Sequence, residues 1–109
     1  MDDNTIEQEI QDKGLTAPRV TKADIDELMS RVVYTYDIRP NGSSVTLVHA
    51  FLDGEFYLAS GMSACVSIEN FDADVGARVA ESKAKMASYD KLWELEGYAL
   101  RKQLIANAA

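Results

Sequence analysis

The apolar positions of this chain change period twice. Ile25, Leu28, Met29 and Val32 recur at i, i+3, i+4 and i+7 and share one helical face. Thr21 stands before them with Asp24 three residues on, a pair that can cap each other's backbone. The spacing predicts an amphipathic helix over residues 22–31. From Val32 the period becomes two: Val32, Tyr34, Tyr36 and Ile38 alternate with Val33, Thr35, Asp37 and Arg39, and Pro40-Asn41-Gly42 closes the run. Two more strand-like runs, 44–52 and 55–62, flank Asp53-Gly54, which suits a two-residue type I′ turn because both central residues take positive φ. With that loop Phe51 faces Phe56, His49 faces Leu58, Leu47 faces Ser60 and Val45 faces Met62. This side of a three-stranded antiparallel meander is therefore expected to pack on helices, in a register that a one-residue slip would expose.

After Cys65 the helical period returns. Asn70 or Asp72 can cap a helix in which Gly76, Ala80 and Ala84 recur every fourth residue, a small-residue stripe that lets another backbone come close, with Val75, Val79 and Met86 beside it. A bend or break near Ser88 or Asp90 is expected, giving a helical hairpin. Its second arm, 92–105, carries Leu92, Trp93, Leu95, Tyr98, Leu100 and Leu104 over more than one stripe, as packing on both the sheet and a second subunit would require. The first 17 residues, with Ile6, Ile10 and Leu15 among charges, read as a leading arm or a short helix ending at Gly14 and Pro18. The expected class is α+β: an N-terminal helix, three antiparallel strands and a C-terminal helical hairpin, with 18–109 as one domain.

Composition changes this picture little, and charge changes it more. The 109 residues are 47% hydrophobic and 27% charged, with 18 acids against 11 Lys and Arg, a net charge of −7. The excess is concentrated in residues 1–30, and residues 72–109 balance. Such a chain is a poor partner for DNA, RNA or an anionic membrane. No apolar run reaches the roughly 18 residues of a membrane span, and the acidic start does not resemble a secretion signal. A soluble protein of the cytoplasm is expected.

Candidate chemistry is sparse. His49 is the single histidine and Cys65 the single cysteine, so no intrachain disulfide, metal site or cofactor is expected. The alternation places His49 on the apolar sheet face, where a core histidine is the default, and Cys65 has no basic neighbour to activate it. No Gly-rich phosphate loop is present. An enzyme is not expected. More informative is Ser67 to Asp72, where a polar stretch carrying Phe71 leads into a helix N-terminus whose free N–H groups can receive an anion. Phe71 fits either a ligand contact or a core position beside a capped helix. Gly97, inside a helix at a cost of roughly 1 kcal/mol relative to Ala, implies close approach of another backbone or a ligand. Arg101 follows one turn later, and a guanidinium can stack on a base or fork onto phosphate.

The segments Glu9 to Thr21, Ser63-Ala64-Cys65-Val66, Glu69-Asn70-Phe71-Asp72 and Leu92-Trp93-Glu94-Leu95-Glu96-Gly97-Tyr98, with Gly76, Ala80 and Ala84 between, span about nine tenths of the chain. Together they resemble a family of small phage proteins that includes the first type of Thoeris anti-defence protein, a sponge for immune signalling nucleotides. The resemblance implies a homo-oligomer, with dimers assembling into a hexamer. It implies that glycocyclic ADP-ribose made by TIR enzymes, and in some members cyclic trinucleotides, is bound at interfaces and sequestered without cleavage in the infected host's cytoplasm. It also implies that Phe71 stacks on adenine, Asn70 makes a polar contact, and Arg101 supplies an opposing plane or a phosphate partner. Between Ala84 and Trp93 the chain is about four residues longer than the family pattern, close to one helical turn, which shifts Arg101 rather than Phe71. The alternative from another class is an inhibitor of a host defence protein whose acidic leading segment occupies a basic site.

Overall fold

A computed structural model describes residues 2–108. Helix α1, Asp3–Asp12, falls within the leading segment and is capped by the Asp2 carboxylate, which accepts the Thr5 N–H at 2.8 Å. Arg19 ties it down with a two-pronged contact to Glu7 at 2.9 and 2.8 Å, and the Tyr89 hydroxyl donates to Asp3. Helix α2, Lys22–Met29, starts at the expected capping box: Thr21 accepts from the Asp24 N–H and Asp24 from the Thr21 N–H. It ends two residues earlier than the periodicity predicts, because Val32 belongs to the first strand.

Strands β1 (Val32–Ile38), β2 (Val45–Leu52) and β3 (Phe56–Ala64) form the expected antiparallel meander. Asp53 and Gly54 take φ of 57° and 76°, as the turn demands. The faces, however, are reversed. Leu52 pairs with Phe56 across a three-residue loop, and a bulge after Ala50 inserts Leu58, so His49 pairs with Ser60 and Leu47 with Met62. The residues turned to the helices are Thr46, Val48, Ala50 and Leu58. The expected apolar face, with Val45, Leu47, His49 and Phe51, is the outer one, and Met62 on it is 52% exposed.

The inner face is small because the helix behind it comes very close. A Cβ at Gly61 would lie 2.1 Å from the Ala80 carbonyl oxygen and 2.6 Å from the Ala84 nitrogen. The stripe of Gly76, Ala80 and Ala84 does let another backbone approach, and that backbone is β3. With Ile25, Val48, Ala50, Leu58 and Leu92 these alanines make the core.

Residues 73–108 are not a hairpin. They form one continuous helix, α3 (Ala73–Ala108), with Ala80, Ala84, Ser88 and Leu92 buried at every fourth position. Ser88 does not break it, since its hydroxyl donates to the Ala84 carbonyl at 2.7 Å and so is satisfied within the helix. Every residue from Arg101 to Ala108 is exposed. The overhang gives a molecule 58 Å long with a radius of gyration of 18.1 Å, where a compact chain of about 100 residues has about 13 Å.

Candidate functional site

Phe71 sits where the turn after β3 meets the start of α3. A short 3₁₀ turn, Ile68–Asn70, closes with the Phe71 N–H bonded to the Ile68 carbonyl at 3.1 Å and directs the half-buried ring into a cleft. Ser44, Ser63, Cys65, Asn70 and Val75 line that cleft with Phe71, enclosing about 300 Å³. Its floor is fixed where β2 begins and β3 ends: the Cys65 N–H donates to the Ser44 carbonyl, and the Ser44 hydroxyl to the Cys65 carbonyl. Asn70 and Phe71 therefore share one site, with Asn70 exposed at its rim.

Arg39 also belongs to this site, although the sequence reading did not single it out. Its backbone is left-handed, with φ 54°, and its guanidinium donates to the Ser43 and Gly42 carbonyls at 3.1 Å each. The turn so formed holds the guanidinium carbon 5.6 Å from the Phe71 ring centre, a cation–π arrangement. The available sequence signal was the turn Pro40-Asn41-Gly42, which folds the end of β1 back across the sheet edge.

The expected anion site at the helix N-terminus is already taken by the chain itself. Asp72 caps α3, its carboxylate accepting the Val75 N–H at 2.9 Å. Asp74 follows in the first turn, and a hydrogen bond from Ser67 holds the Glu69 carboxyl below its usual range, which keeps it ionised. Against these acids stands Arg39. One copy of the cleft can stack a planar base, but its charge does not suit a phosphate.

Arg101 lies elsewhere. It is exposed on the overhanging end of α3, about 40 Å from Phe71 at 1.5 Å per residue. Residues 84–93, where an additional turn was expected, lie within the unbroken helix. Gly97 has no atom within 4 Å of the place a Cβ would occupy, so nothing in this chain makes the close approach its position implied.

His49 is on the outer face, with Nδ1 2.7 Å from the Ser60 hydroxyl, which is also 2.7 Å from the Tyr57 hydroxyl. No carboxylate among the described residues is hydrogen bonded to His49, so the third group that would orient it as a base is missing. Among the described residues no cluster of His, Cys, Asp and Glu could hold a metal ion, and no helix is long and apolar enough to cross a membrane.

The sequence pattern of the Phage protein (N4 Gp49/phage Sf6 gene 66) family matches residues 20–104, which hold all three strands, α2, the cleft and most of α3. The chain belongs to this family. No curated protein and no solved structure matched it. Helix α1 precedes the matched region, whereas Phe71, Asn70, Arg39 and Arg101 all lie inside it.

Proposed function

We propose that this phage protein is an anti-defence sponge: it binds a cyclic nucleotide immune signal in the infected cell and holds it without cleaving it. Glycocyclic ADP-ribose made by TIR enzymes is the expected ligand, and cyclic trinucleotides are a further candidate class. The observation that carries the reading is the Arg39–Phe71 pair at the mouth of an open cleft. A purine can slide onto such an aromatic platform, with Asn70 placed for its polar edge.

About 300 Å³ is at the lower limit for a ligand site. The acidic rim leaves the ligand's pyrophosphate without partners in one copy. Arg101 supplies the missing cation only if it comes from another chain, so the ligand is held between copies of a homo-oligomer. Sequestration needs neither base nor metal, which accords with a half-buried His49 on the outer sheet face that no carboxylate orients.

The test mixes purified protein with glycocyclic ADP-ribose, recovers the protein, and heats it. Intact, still active signal released on denaturation is the expected result, and Phe71→Ala should lose capture while keeping its melting temperature. Degraded signal would mean an enzyme, and no capture would end the proposal. Deletion of residues 1–17 should leave capture intact; if the deletion rather than Phe71→Ala abolishes anti-defence activity, the protein is instead an acidic inhibitor of a host protein.

A further inference from the structure

The face of α3 that closes the core does not end with the core. Leu92 is buried, and at i+4, i+7 and i+8 from it the same side of the helix presents Glu96, Ala99 and Leu100. Between this stretch and α2 a groove of about 490 Å³ stays open, with Val20, Ala23 and Leu28 on one wall and Ala99 and Leu100 on the other. Val20, Leu28 and Leu100 are half-buried there, so an apolar surface laid into the groove would complete their burial. The groove is separate from the Phe71 cleft and shares no lining residue with it.

Acids stand on both walls, Asp24 and Glu27 on α2 and Glu96 on α3. Glu27 is paired with Arg31 at 2.7 Å, whereas neither Asp24 nor Glu96 makes an ion pair among the described residues. The Asp24 carboxylate accepts only the Thr21 N–H of the capping box. Glu96 is half-buried, a position that favours a cation brought in from outside. Arg19 also lines the groove, but both of its terminal nitrogens donate to Glu7. The groove thus joins an apolar lining to unspent negative charge on either side.

We infer that this groove docks a basic amphipathic helix of another protein, its apolar stripe on Val20, Leu28 and Leu100 and its lysines or arginines against Asp24 and Glu96. Both walls are helices whose backbone groups are bonded internally, so an extended segment would find no main-chain partners there, while a helix satisfies its own. Acids on both walls select bases on both flanks of the stripe, and the net charge of −7 draws such a segment in. A second copy does not supply it: α1 and α2 are acidic, and bases and acids nearly balance along α3.

The test titrates the full chain, without nucleotide, into a fluorescent synthetic helix with leucine at i, i+3, i+4 and i+7 and lysine elsewhere. Saturable binding of one peptide per chain is expected. Glu96→Lys should weaken it about tenfold, and Glu94→Lys, the same charge change at an exposed position outside the groove, should change it by less than about twofold. Ala99→Trp, which fills the groove, should abolish binding without lowering the melting temperature. Equal binding of a scrambled peptide of the same composition, or equal loss in Glu94→Lys, would reduce the contact to net charge and overturn the inference. Self-association that Glu96→Lys abolishes, with no peptide bound, would give the groove to a second copy and overturn it too. Nucleotide capture plays no part in this contact, so Phe71→Ala should bind the helix as the unaltered chain does; loss there would move the helix to the cleft.

Discussion

Two glycines show how far a single hydrogen in place of a methyl reaches into this fold. At Gly61 the missing Cβ makes room for backbone atoms of α3 at 2.1 and 2.6 Å, atoms that cannot rotate away. Gly61→Ala must therefore push the helix off the sheet, along the line where Ala80 and Ala84 complete the core. The expected cost is about 1–3 kcal/mol, as for overpacked cores, read as a drop of roughly 4–8 °C in Tm per kcal/mol by thermal melts. Gly97 has open space around it and sits inside a helix, so Gly97→Ala should act in the opposite direction. It should stabilise the chain by about 0.5–1 kcal/mol through helix propensity alone, read as a rise in Tm. Equal losses of stability at both sites would contradict this division.

At the level of elements, α1 is held by charge more than by packing, since none of its residues is fully buried. Hydrogen bonds from Arg19, with a further one from the Lys22 N–H, hold the Glu7 carboxyl below its ordinary value near 4.5. A depressed folded-state value means that the contribution is complete above about 4.5 and is lost as pH falls through the folded value. Acidification should therefore release α1 before the sheet unfolds. Trp93, packed edge-on to Tyr89 at 6.2 Å, reports it, because Tyr89 donates to Asp3 of α1. Its emission should show a separate acid step that Glu7→Gln abolishes; a single transition in both proteins would show that α1 and the body are one unit.

The strands, the type I′ turn, the capping box of α2 and the small-residue stripe were all legible in the sequence, because each rests on local rules of period and turn chemistry. The sheet's facing was not, because β2 is apolar on both sides. Val45, Leu47 and Phe51 outweigh Thr46, Val48 and Ala50 in bulk, yet the close approach at Gly61 selects the smaller set for the inside. One added loop residue and the bulge at Leu58 complete the shift. The unbroken α3 is harder to see, because Ser88 and Asp90 interrupt the apolar pattern without breaking the helix, and neither Gly nor Pro stands between Ala77 and Glu96. In the candidate site, Phe71 and Asn70 stood out as an aromatic in a polar stretch before a helix. Arg39 did not, because it reaches Phe71 only through the left-handed backbone of a turn more than thirty residues away.

Across the whole molecule, stability and the proposed function occupy opposite ends of one helix. The part of α3 up to Leu92 closes the core, and its last turns project with residues 101–108 exposed. A chain ending at Leu100 loses no core contact and should fold as before, within about 0.5 kcal/mol of the full chain, as for changes to exposed residues. In the proposed homo-oligomer the same truncation removes Arg101 from the ligand sites. Nucleotide capture should therefore vanish while the melting transition of dilute protein is unchanged. Arg101→Ala isolates the cation: capture should fall because the ligand's phosphates then meet only Arg39, whose guanidinium already donates to the Ser43 and Gly42 carbonyls. Capture by Arg101→Ala at the unaltered level would mean that Arg39 alone balances the ligand's charge, and that the distal helix serves assembly without touching the ligand.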